Sequence, residues 1–200
     1  MLWIAVAAAA GSLRLPPVDQ CARDPSFVEF RASLQRTIAR RDVNALLAVV
    51  ADDVHASLGG HVGKADFVEL WDLQRPDRSG VWKELSTALS LGCALRDGLA
   101  SAPSLEQQLG ERDAFETRLA RPGAVLRARP DAKSRLIARL HWHVLTLRGE
   151  WDGGRWVQVR LDDGRSGYVE ERLMRSPLDY RAWFRTRGGK WVIEGFLAGD

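Results

Sequence analysis

Residues 155–174 read RWVQVRLDDGRSGYVEERLM, and the fold turns on how this stretch is parsed. From Trp156 to Leu161 apolar and polar residues alternate, the period-two signature of a half-buried strand. Asp163-Gly164 carries turn chemistry, and Gly167-Tyr168-Val169 starts a returning strand. Alternation sends Val157, Val159, Leu161 and Val169 to one face and Trp156, Gln158, Arg160 and Tyr168 to the other. Working outward, residues 115–119, 125–128, 136–140 and 144–147 are further short strand candidates. Pro122-Gly123, Pro130-Asp131 and Gly153-Gly154 separate them with turn signals. Short strands at this spacing predict a small all-β barrel over residues 113–175.

Upstream the period changes. Phe27, Phe30, Leu34 and Ile38 form a helical stripe, with Asp24 and Ser26 available as caps. Asp42 opens a second short helix bearing Leu46, Leu47 and Val50, and residues 54–58 read as strand before Gly59-Gly60. Gly63 precedes a third helix with Phe67, Leu70 and Trp71. Ser79 caps a fourth, with Val81, Trp82, Leu85 and Leu89, ending at Gly92. Residues 21–112 are therefore expected to form a mainly helical N-terminal domain, although the pattern fades after Ala94. Downstream, residues 180–186 and 191–196 flank Gly188-Gly189 as a hairpin over 176–200. Its Trp183, Phe184, Trp191 and Phe196 exceed what two isolated strands can bury, so the hairpin is expected to return to the first domain. The fold class read here is α+β.

The strand-rich block resembles the bacterial SH3-like domain over residues 114–175. The likeness lies in AVLRARPDAKSRLIARL, in the strand around VLTL, and in the Trp156 strand, Asp-Gly turn and Gly-Tyr-Val that follow. It departs from the family at the first strand, which reads Leu126-Arg127-Ala128-Arg129-Pro130. The resemblance implies an SH3-like barrel of an exported protein that binds cell-wall peptide or a partner protein. A second resemblance links ARRDVNALLAVVADDV, GGHVGKADFVELW and DYRAWFRTRGGKWVIEGFLAGD to the cone-shaped α+β superfamily that includes nuclear transport factor two and SnoaL. That one implies a small-molecule pocket protein or enzyme using Asp53 or His55.

Residues 2–10, LWIAVAAAA, are apolar but far short of the roughly 20 a spanning helix needs. The small residues after them fit an export cleavage site, so residues 1–20 are read as a signal-like segment and linker. The protein is expected to be periplasmic or secreted, with no stable membrane span after processing. Cys21 and Cys93 are the only cysteines. In an exported chain they form either one disulfide or two buried thiols. With 29 basic and 26 acidic residues the net charge is +3, which makes no case for a nucleic-acid partner.

Catalytic signatures are missing. There is no G-x-S-x-G, no glycine-rich phosphate loop and no H-E-x-x-H. His141 and His143 alternate so that a strand would place both imidazoles on one face, but no third ligand accompanies them, and no metal or cofactor is expected. Asp52, Asp53, His55 and His61 surround the Gly59-Gly60 turn and would serve acid–base work only if they converged. The expectation is a non-catalytic envelope protein. Trp156, Tyr168, Gln158 and Arg160 would form its ligand surface for a peptide, a cell-wall fragment or an envelope protein.

Overall fold

A computed structural model describes residues 11–149 and 153–199. The chain divides into two compact units, one of residues 11–16 with Glu111–Pro177, the other of Pro17–Gly110 with residues 178–199. The apolar stretch read as an export signal lies outside the described residues.

The second unit is built on a five-stranded sheet, ordered β1-β12-β11-β3-β2. These strands are β1 (Val50–His55), β2 (Ala94–Arg96), β3 (Leu99–Ala102), β11 (Arg181–Arg187) and β12 (Lys190–Leu197). β1 runs parallel to β12 and the other neighbours are antiparallel. Four helices accompany it: α1 (Pro25–Arg40), α2 (Val43–Ala48), α3 (Lys64–Leu70) and α4 (Val81–Ser90). The Asp24 carboxylate caps α1 by accepting the Phe27 amide at 3.1 Å, and Asp42 caps α2 the same way through Ala45 at 3.0 Å. The α1 stripe buries Phe27, Leu34 and Ile38. Phe27 meets the rings of Phe184 and Trp191 edge-on at 5.4 and 5.0 Å, which seats the helix on β11 and β12. Trp71 stacks on Phe196 at 5.0 Å on the same core.

A disulfide joins Cys21 to Cys93 with Cα atoms 5.6 Å apart, closing a separation of 72 residues that contains all four helices. By chain entropy, a loop of that length contributes about 4 kcal/mol. Among the described residues no helix is long and apolar enough to cross a membrane.

The first unit holds seven strands in the order β10-β4-β7-β8-β9-β5-β6. These are β4 (Thr117–Ala120), β5 (Val125–Arg127), β6 (Leu136–Arg139), β7 (Val144–Leu147), β8 (Trp156–Leu161), β9 (Ser166–Glu170) and β10 (Met174–Arg175). Every pairing is antiparallel. Val157, Val159, Leu161 and Val169 point into a core shared with Leu126, Leu140, Leu145 and Met174.

Three expectations are corrected by the structure. The N-terminal part is not a mainly helical domain: its helices pack on a five-stranded sheet, and strand exceeds helix among the described residues. Residues 94–102 were opaque because Ala and Ser carry weak strand propensity, and pairing with β11 makes β3 a strand. Val50, read as helical, begins β1. The small SH3-like barrel is corrected too. The strands form one sheet whose outer members are β6 and β10, with no closing pair between these two among the described residues. The two-residue β10 lies beside β4 instead of completing a ring.

Candidate functional site

Two exposed sheet faces gather the residues that carry chemistry. On the seven-stranded sheet, β8 and β9 pair in strict register: Trp156 opposite Glu170, Gln158 opposite Tyr168, Arg160 opposite Ser166. Paired residues share a face, so Trp156, Gln158, Arg160 and Tyr168 stand together, away from the valine core. Arg127 of β5 lies opposite Tyr168 on its other side. The two rings are half-buried and occupy diagonal positions, while Gln158 and Arg160 are exposed. Gly167 makes the close pairing of β9 with β5 feasible, because a Cβ there would fall 2.4 Å from the Arg127 carbonyl oxygen.

Charge on this face is predominantly positive. The Arg155 guanidinium lies 5.8 Å over the Trp156 ring, and Arg155 and Arg172 both pair with the Glu170 carboxylate. Burial raises the Glu170 carboxyl, but the Arg172 hydrogen bond and the two neighbouring cations outweigh it and leave the group below its ordinary range. Arg127 donates to the Ser134 carbonyl at 2.6 Å. Arg160 has no ion-pair partner among the described residues. The turn that joins the strands is held by Asp163, which accepts from Arg165 at 2.6 Å and from Ser12 at 3.0 Å. The Arg165 bond brings its carboxyl down to about 2.

The second face belongs to the five-stranded sheet, on the side away from α1. Phe184 and Ile193 pair toward the helices, so Trp183, Arg185 and Arg187 point the other way. A bulge in β12 inserts Glu194 between Ile193 and Gly195 and turns its carboxylate onto this same face. Arg187 donates one terminal nitrogen to Asp53 at 2.6 Å and the other to Glu194 at 2.8 Å, while Arg185 Nε reaches Glu194 at 3.1 Å. These bonds, with that from Arg187 foremost, hold the Glu194 carboxyl below its ordinary value, and the Arg187 bond does the same to Asp53. His55, Leu99, Trp183, Arg185, Arg187 and Glu194 line a cleft of about 200 Å³.

The sequence candidates divide accordingly. Asp53 and His55 do reach one face, whereas Asp52 pairs with Lys64 at 2.9 Å and the His61 ring bonds the Ser57 hydroxyl at 2.9 Å. His141 and His143 do not sit on a regular strand. Trp142 between them has φ +56°, and the His143 Nδ1 accepts the His141 amide at 2.9 Å. Among the described residues the one potential ligand cluster is Asp19 with Cys21 and Cys93, and its sulfurs are joined as the disulfide. Trp183, Arg185, Arg187 and Glu194 were missed. The first three stand at i, i+2 and i+4 in RAWFRTR, the spacing that already placed Trp156, Gln158 and Arg160 together. Compared with protein-family models, curated proteins and solved structures, the chain matches none.

Proposed function

We propose that this is a non-catalytic binding protein of an extracytoplasmic, oxidising compartment, periplasmic or secreted. Its seven-stranded unit captures an extended, carboxylate-bearing peptide of the kind found in cell-wall fragments or in a segment of an envelope protein. The observation that carries this reading is the outward row of Trp156, Gln158, Arg160 and Tyr168 across two registered strands, with Arg160 uncompensated among the described residues. Aromatic faces hold an extended backbone at low entropic cost, and a free guanidinium selects carboxylate. The buried disulfide supports the compartment, since such bonds persist where thiols are not kept reduced.

The test is calorimetric titration of the full chain with purified peptidoglycan stem peptides. Trp156→Ala or Tyr168→Ala is expected to weaken binding by about 1–3 kcal/mol, the range of aromatic hot spots. Wild-type affinity retained in both variants overturns the proposal.

A further inference from the structure

The cleft on the five-stranded sheet has a layout that general surface chemistry does not require. Across the sheet, Trp183 of β11 pairs with Gly195 of β12, and Gly195 in turn registers with His55 of β1. The middle position of that row has no side chain. A Cβ at Gly195 would fall 2.6 Å from the Trp183 ring, so glycine is what lets the indole lean over β12. One wall is thus an indole, the opposite wall an imidazole, and Leu99 adds apolar surface.

The donor and acceptor account is lopsided. Both Glu194 oxygens are occupied, one by Arg187 and one by Arg185. Arg187 spends both terminal nitrogens, on Asp53 and Glu194. Arg185 uses only Nε; its two terminal nitrogens make no hydrogen bond among the described residues, and neither does the His55 ring. Two guanidinium groups and two carboxylates cancel in charge, and the Arg185 terminal nitrogens add unspent donors at the cleft. Anchoring through Nε leaves the Arg185 fork pre-oriented for a second carboxylate. The volume, about 200 Å³, lies under the 300–1,000 Å³ typical of drug-sized ligands, which suits one ring or a short chain and rules out a dinucleotide.

We propose that this cleft binds a small monocarboxylate with a flat apolar body, the acid on Arg185 and His55 and the body against Trp183 and Leu99. The site shares no residue with the peptide face of the other unit, and each stands or falls without the other.

The experiment is an NMR titration of the full chain with sodium benzoate and, separately, with benzamide, its neutral near-isostere. Benzoate is expected to shift the Trp183 indole N–H and the His55 ring saturably. Benzamide should bind about tenfold more weakly, because it cannot form the charge-assisted pair. Arg185→Gln should remove that preference. If Arg185→Gln does not fold, His55→Ala, at an exposed position, takes its place and is expected to weaken benzoate binding. Equal affinity for the two probes on the wild-type chain, or no saturable shift with benzoate, overturns the proposal without any variant.

Discussion

β8 and β11 present nearly the same outward triplet, Trp156-Gln158-Arg160 in one sheet and Trp183-Arg185-Arg187 in the other, yet the surfaces they make differ. Opposite β8, the returning strand is regular and supplies Glu170, Tyr168 and Ser166, so the face is a filled platform with a second ring. Opposite β11, β12 supplies Gly195 and a bulged Glu194, so the face has a hollow and its guanidinium groups are neutralised by carboxylates. The identity of a strand's own outward residues does not decide what its surface recognises. The residues it is registered against do.

One of the two faces can be removed altogether. Deleting residues 178–200 takes out β11 and β12, which occupy the middle of the five-stranded sheet. Cooperative unfolding of the second unit is expected to vanish, with loss of amide protection in α1 and α4. Retained protection there would show that the helices do not depend on the sheet. Next in size is the disulfide. Reduction should lower the stability of the second unit by about 4 kcal/mol in urea titration and loosen exchange in α1–α4, while β8 and β9 keep their protection.

A sharper contrast lies within one strand. Val159→Ala is expected to cost the fold about 2 kcal/mol through lost methyl groups and the cavity left behind. Trp156→Ala should cost the fold less and binding more. Equal unfolding penalties would mean that Trp156 belongs to the core.

Smallest is the acid response. The Glu194 carboxyl lies below its ordinary 4.5 in the folded chain, so its two ion pairs stabilise fully above that value and are lost as pH falls through the lower folded one. Asp163 behaves likewise between its ordinary 3.8 and a folded value of about 2. Carboxyl-detected NMR titration should therefore show both groups protonating below their ordinary values. Glu194→Gln should flatten the acid limb of stability for the second unit only.

Legibility in the sequence followed the strength of periodicity. The α1 stripe, the four helices and the β8–β9 alternation could be read because each face is half-buried and patterned accordingly. β2 and β3 could not, since Ala94, Ala100, Ser101 and Ala102 carry little hydrophobic contrast, and β3 is held by its partner β11. Asp97-Gly98 was the overlooked sign: both residues have positive φ, as a two-residue hairpin turn demands. Trp183 was grouped with Phe184 as core, when alternation alone separates them. The bulge at Glu194 had no sequence signal, because it depends on how β12 meets two strands at once.

The position of β11 and β12 in that sheet also sets an order of events during synthesis. β1 and β3, which they separate, are made early, and the whole seven-stranded unit is made before their partners leave the ribosome. Until residues 181–197 emerge, the nascent chain carries two unpaired strand edges and the uncovered apolar side of α1. The second unit therefore cannot close its sheet until residues 181–197 are available. A chain cut before residue 181 lacks both strands and leaves its backbone open to proteases.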